Sequence, residues 1–276
     1  MGQVGLYLYN QLELKKSEIE KLTGKKIKIE AISARNRNKK RKFKINKKIF
    51  YTNPLKIFKE KKIDVLVESI GQSNGISKKI IETALKNKIH VITPNKALIA
   101  KHGDYLAKLA EKNKVNLEFE AAVCGGVPII RSIKEGLIAN KINRIYGIFN
   151  GTSNYILSCM DKENKDFNEV LLNAKKLGYA EADPTTDLNG DDVSSKLKIL
   201  SSLCFNSFLN NNIYVEGIKH IDKNDINYAN NLGYKIKLLG YAEFLNKNIY
   251  QRVHPTLIKK NSDIASVDGV LNAVII

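Results

Sequence analysis

Three acids and a lysine in the stretch GYAEADPTTDLNGDDVSSK, from Gly178 to Lys196, have the types needed to hold a small charged ligand and move a proton on it. They are Glu181, Asp187, Asp192 and Lys196. Asp183 and Asp191 bring the acids of this stretch to five, against one lysine, in a chain of net charge +18. Asp192 and Lys196 are four residues apart, so a helix puts them on one face. One reading is a helical ion pair of about 0.3–0.5 kcal/mol. It employs two residues and leaves Glu181 and Asp187 without a task. The other reading is a cleft for a zwitterion. There the acids hold an ammonium and the lysine exchanges a proton with an oxygen, which requires a lowered pKa or a partner relay. Asp183-Pro184 and Asn189-Gly190 mark turns. Asp191 or Asn189 is expected to cap the helix that follows.

Other positions offer ligand chemistry. In EAAVCGGVP, Glu120 precedes small residues and a Gly-Gly pair, so exposed main-chain carbonyls beside one carboxylate could take a hard cation. A tight strand-to-helix turn accounts for the same residues, and spacing alone favours it. In TPNKA, Lys96 follows an apolar run, at the strand edge where open α/β sheets bind ligands; a surface lysine fits equally. Gly2 and Gly5 of MGQVG have the spacing of the last two glycines of G-x-G-x-x-G, which holds a pyrophosphate on helix N-terminal amides. The first glycine and the strand before it are missing from this pattern. No acid follows Glu30 at the end of the second strand-like run, where NAD-binding folds place one against the ribose. Arg35 stands there instead and could fork onto a 2′-phosphate, so NADP is expected over NAD. The alternative is that Arg35 opens a solvated basic run.

These residues need a scaffold. Residues 4–22 read as a helix stopped by Gly24. Residues 26–33, 64–71, 89–93 and 115–123 read as strands, with helices over 76–87 and near 103–113. Such alternation implies βαβ units and a parallel sheet. After residue 125 the pattern changes. A helix enters through Gly125, Gly126 and Pro128, a strand covers 142–150, and a helix starts at Gly151. Helices near 167–177 and 191–205 flank the acidic stretch, and strand-like runs at 234–244, 249–258 and 270–276 close the chain. The expected fold is α/β: a Rossmann-like NAD(P)-binding domain over 1–124, then an α+β substrate-binding and dimerisation domain over 125–276.

Composition narrows the function classes. No apolar run approaches the ~20 residues of a membrane span, so no membrane partner is expected. The N-terminus lacks the features of a signal peptide, and Leu6 stands where a myristoylation motif wants Ser or Thr. Cys124, Cys159 and Cys204 have neither metal-type spacing nor a disulfide framework, which points to the cytoplasm. The run RNRNKKRKFKINKK, Arg35 to Lys48, raises a different class, a basic nucleic-acid-binding protein. Yet Lys, Asn and Ile abound throughout, the charge is spread along the chain, and no aromatic-interleaved motif follows. The compositional reading is preferred, with no nucleic-acid partner.

The segment AKKLGYAEADPTTDLNGDDVSSK, Ala174 to Lys196, resembles the signature of homoserine dehydrogenases. Ala174, Gly178, Asp183-Pro184, Asp187, Gly190, Asp192 and Lys196 stand in the family's order and spacing. TPNKA, EAAVCGGVPII, NGTSNYIL (Asn150 to Leu157) and VDGVLNAV (Val267 to Val274) resemble family segments in the same order. The resemblance implies NAD(P)-dependent interconversion of L-homoserine and L-aspartate 4-semialdehyde, in threonine and methionine biosynthesis. It implies that Lys196 exchanges the proton at the C4 oxygen with Asp192 beside it, and that Glu181 and Asp187 contact the substrate amino end. Thr152 and Gly178 would line the site, and Lys96 would reach the junction of cofactor and substrate. Glu120 with the main-chain oxygens of Val123, Gly125 and Val127 would correspond to a sodium site. A homodimer is implied. The family begins with a strand and a complete glycine motif and continues past VLNAV, so this chain is expected to be a fragment lacking both ends. Another amino-acid oxidoreductase of the same two-domain plan is the alternative within enzymes.

Overall fold

The computed structural model describes residues 2–208 and 212–276. They form two units, Met1–Phe119 and Glu120–Ile276.

The first unit opens with α1 (Gln3–Leu14) and α2 (Lys16–Thr23), where the sequence suggests one helix. They part at Lys15, and Gly24 ends α2 in the left-handed region at φ 66°. β1 (Ile32–Ser33) pairs in parallel with β2 (Phe50–Tyr51), followed by the single turn α3 (Ile57–Glu60). The expected strand over 26–33 shrinks to two residues because its partner offers only two, and Lys25 to Lys28 stay exposed. Next comes a continuous βαβαβ run: β3 (Val65–Val67), α4 (Ile76–Lys86), β4 (His90–Ile92), α5 (Lys96–Asn113) and β5 (Leu117–Glu118). The strands are parallel in the order β3-β4-β5. Ile80, Ile81, Ala84 and Leu85 give α4 its buried stripe, and Leu98, Ile99, Leu106 and Ala110 do the same for α5. α5 starts seven residues before the expected 103, because the Asn95 side chain accepts from the Leu98 N–H and caps it.

The second unit begins with a short 3₁₀ turn over 120–122 and α6 (Ile129–Arg131), which widens into a π-turn over Ser132–Gly136. Then come β6 (Arg144–Ile148), α7 (Gly151–Glu163), α8 (Phe167–Leu177), α9 (Thr185–Leu188) and α10 (Asp191–Cys204). β7 (Tyr214–Val215), α11 (Lys223–Asn231), β8 (Tyr234–Leu245), β9 (Asn248–Lys259) and β10 (Ala273–Ile275) complete it. The five strands are ordered β10-β6-β8-β9-β7, antiparallel except for β7 beside β9. Asn246 and Lys247, both at positive φ, turn the long β8–β9 hairpin. α11 lies outside the sequence expectations, yet its capping box of Asp222 and Asp225 is a readable signal.

A buried polar cluster ties this unit together. Lys237 of β8 is 1% exposed. Its ammonium donates to Asn154 (3.1 Å) and Ser158 (3.3 Å) of α7, to the Val267 carbonyl (2.8 Å) and to Asp268 (2.7 Å). Asn154 also donates to the carbonyls of Val267 and Leu271, both at 3.0 Å. Burial works to raise the Asp268 carboxyl, but hydrogen bonds from Lys237 and Lys162 prevail and hold it well below the usual carboxylate range. A carboxyl lowered on folding stabilises fully above its unfolded pKa, about 3.9, and that contribution is lost as pH falls toward the folded value. Asp268→Asn is therefore expected to lower stability at neutral pH and to flatten the acid limb of Tm against pH below about 4. Parallel curves for variant and wild type would remove Asp268 from this role.

Candidate active site

The site is built where β6 runs into α7. Gly147 and Gly240 are register partners on β6 and β8. A Cβ on Gly147 would lie 2.6 Å from the Phe149 ring, and one on Gly240 would lie 2.7 Å from it. Their bare backbones are the slot that receives this ring, and Phe149 is fully buried. The slot fixes the Phe149 carbonyl, which accepts a hydrogen bond from the Lys196 ammonium. The next residue, Asn150, is extended and caps α7 by accepting from the Ser153 N–H at 2.7 Å.

Lys196 and Asp192 share one face of α10 and lie 2.8 Å apart. Their side chains are 13% and 3% exposed, which excludes the solvated surface pair as the account of these two residues. Asp192 also accepts from the Asn150 side-chain amide at 2.8 Å, and the same NH₂ group donates to Asp187 at 2.8 Å. Asp187, Asp192 and Lys196 are thus brought together, joined by Asn150. The expected side-chain cap of α10 is not formed by Asp191 or Asn189. Gly190 holds the cap position at φ 86°, in the left-handed region, with no side-chain cap bond. Asp191 and Asp192 instead face the helix N-terminus from its first turn, where negative charge is favoured.

Glu181 is exposed on the loop after α8. Gly178 ends that helix at φ 78°, a conformation that favours glycine. The Thr152 hydroxyl donates to the Tyr179 carbonyl at 2.7 Å, and Lys175 donates to the Ala182 carbonyl at 3.0 Å. These two bonds hold the loop on either side of Glu181. Cys124 is buried with Lys196 and Asp192 as charged neighbours, and burial pushes its thiol up to about 11. It is a neutral thiol at physiological pH.

Glu120 opens the turn before α6. Its two carboxylate oxygens accept from the N–H groups of Ile130 (2.9 Å) and Arg131 (2.8 Å). The Val127 carbonyl accepts from Ile129 at 2.8 Å, and Gly126 turns at φ 96°. The carboxylate therefore caps the short helix, and the carbonyls of Val123, Gly125 and Val127 belong to the same tight turn.

In the first unit, Gly2 is the N-cap of α1 and Gly5 is buried in its first turns. Arg35 is exposed two residues past β1, and Lys96 is the first residue of α5. A group the sequence reading passed over lies at the same strand edge. Glu68 is 1% exposed. Its carboxylate accepts from the N–H of Ile70 (2.7 Å) and Gly71 (3.2 Å), the Thr93 hydroxyl (2.6 Å) and the Asn95 amide (3.4 Å). It fixes the loop after β3 and the start of α5. One acid closing an apolar strand was the signal for it. Asn150 was equally passed over as a site residue; Asn before Gly-Thr-Ser at a helix start reads as a cap, and its second role depends on residues 37 and 42 positions away.

A parallel α/β unit is followed by an α+β unit that buries a lysine–carboxylate pair, the plan of a two-domain α/β protein. The family model "Homoserine dehydrogenase, NAD binding domain" matches residues 1–120, and "Homoserine dehydrogenase" matches residues 128–276. The chain belongs to the homoserine dehydrogenase family. The homoserine dehydrogenase of Neisseria gonorrhoeae is 44% identical over 275 residues, covering 99% of this chain and 63% of that protein. That of Pseudomonas aeruginosa is 44% identical over 282 residues, covering 100% and 63%. This chain therefore spans 63% of the length of these curated relatives. Among solved structures, a homoserine dehydrogenase from Thiobacillus denitrificans superposes with TM-score 0.91 at 40% identity, covering 99% of this chain and 63% of that one. A hyperthermophilic archaeal homoserine dehydrogenase in complex with NADPH superposes with TM-score 0.71 at 26% identity, covering 95% and 72%.

Proposed function

We propose that this chain carries the substrate half, and the described part of the nucleotide half, of an enzyme interconverting L-homoserine and L-aspartate 4-semialdehyde. The observation that carries the reading is the buried Lys196–Asp192 pair joined to Asp187 through Asn150. In reduction, the Lys196 ammonium donates a proton to the C4 oxygen, and in oxidation Lys196 takes it back. Asp192 and the Phe149 carbonyl aim the amine throughout. Glu181 and Asp187 receive the substrate ammonium, and Thr152 sets the loop that presents Glu181. When bound, a nicotinamide cofactor supplies or accepts the hydride at C4. Lys96 is assigned a catalytic and cofactor-contacting role, and Gly178 lines the cofactor side.

The cofactor assignment is NADP over NAD. Gly2 caps α1 with no side-chain bond, and a Cβ there would meet nothing within 4 Å, so a pyrophosphate fits against the helix amides of Gly2 to Gly5. Arg35 lies at the end of β1, where a 2′-phosphate is read. Arg35→Glu should weaken NADPH binding by about tenfold or more while changing NADH far less. Equal effects in fluorescence titration would defeat the assignment. The oxygens of Glu120, Val123, Gly125 and Val127 are all hard donors, which fits a sodium ion.

Threonine and methionine biosynthesis in the cytoplasm is the proposed setting, with the homodimer as the working form. Tyr146 and Tyr241 stack at 6.3 Å, and Arg252 lies over Tyr241 at 4.6 Å, on a sheet face that also leaves Tyr250 53% exposed. Tyr and Arg are enriched at subunit interfaces. No nucleic-acid partner is assigned to the basic run, whose Arg37 and Arg41 donate to main-chain carbonyls of their own loop. The test is homoserine-dependent reduction of NADP⁺ by the wild-type protein, run beside DNA binding across a salt series. Absent turnover with steeply salt-sensitive DNA affinity would overturn the enzyme reading.

A further inference from the structure

We infer that Asn150 is a positioning residue that clamps Asp187 and Asp192 together, so that Lys196 keeps Asp192 as its partner and Asp187 is presented to the substrate ammonium. The inference rests on the substrate reading of this site. One amide carries both bonds at 2.8 Å, while its own oxygen is used by the Ser153 N–H. Asn150 is 5% exposed.

Two carboxylates held on one NH₂ group repel, and proximity alone drives one of them to take up a proton. Hydrogen bonds donated to the charged form act the other way. Lys196 on α10 is paired with Asp192, and Cys124, on the turn before α6, has both as charged neighbours. Asp191 stands beside Asp192 in the first turn of α10, and Glu181 lies on the loop after α8. Lys196 balances one carboxylate. The other, Asp187, is aimed by the Asn150 amide and left to meet an ammonium. A backbone cap needs only an acceptor at position 150. The clamp needs two N–H donors, and Asn supplies both functions from one side chain.

Asn150→Ser and Asn150→Asp separate the two roles, since both residues cap a helix and neither can donate to two carboxylates. For Asn150→Ser, the homoserine KM should rise about tenfold, with a further rise as pH falls, while kcat changes less. Asn150→Asp adds a third carboxylate and should shift the acid limb of the KM profile to higher pH than Asn150→Ser does. Unchanged KM profiles in both variants would overturn the inference and leave Asn150 a helix cap. The pH dependence of Tm tests the clamp without substrate. The Tm difference between Asn150→Ser and wild type should change across the acid range, and parallel curves would overturn the clamp. If wild type fails to turn over homoserine while the Tm curves diverge, the substrate reading fails and the clamp stands.

Discussion

Lys196→Ala should lower kcat by about 10²–10⁴-fold and change KM by much less. The reason is geometric. The amine is held by Asp192 at 2.8 Å and by the Phe149 carbonyl, so its position is set before substrate arrives. The proton transfer proposed for it is an interaction made in the transition state, and such losses appear in kcat and kcat/KM alike. Lys196→Arg should not rescue, because a guanidinium keeps its proton at any working pH. Steady-state kinetics in both directions check this. A change confined to KM would make Lys196 a binding residue only.

Lys237→Ala should cost about 3–5 kcal/mol of stability, the range for breaking one side of a buried ion pair. Burial lowers the pKa of the Lys237 ammonium, while Asp268 opposes that shift. With four acceptors at 2.7–3.3 Å, we assign it as charged. Removing it leaves the buried Asn154 oxygen without its donor and takes one of two donors from the Val267 carbonyl. The double variant Lys237→Met with Asp268→Leu should recover part of the loss, since it removes the carboxylate that has lost its buried cation, while the Asn154 oxygen stays without a donor. Chemical denaturation of Lys237→Met, Asp268→Leu and the double variant reads the cycle. Additive losses would show that the two residues act independently.

Much of this was legible in the sequence because periodicity and punctuation agree. α4, α7, α8 and α10 fall within a residue or two of their expected bounds, and so do β8 and β9. The class of fold followed from alternation in the first half and its loss in the second. What was not legible is set by partners. The expected first strand shortens because its neighbour is short, and α5 starts early because Asn95 caps it. The Asp192–Lys196 spacing shows that the two share a helix face, but not that the face is buried. That depends on β6 and on the ring of Phe149. Glu68 and Asn150 escaped because each draws on donors or acceptors far off in sequence.

The acceptor for Lys196 is a main-chain carbonyl, and every residue has one. No side-chain replacement at position 149 can delete it, so a conventional scan of the site would never reveal its contribution. The genetic handle lies one layer away, at Gly147 and Gly240. A Cβ at Gly240 would lie 2.7 Å from the Phe149 ring, and one at Gly147 would lie 2.6 Å from that ring and closer still to the Ala273 carbonyl oxygen of β10, so at either position something must shift. The position of the Lys196 amine thus depends on two residues that have no side chain.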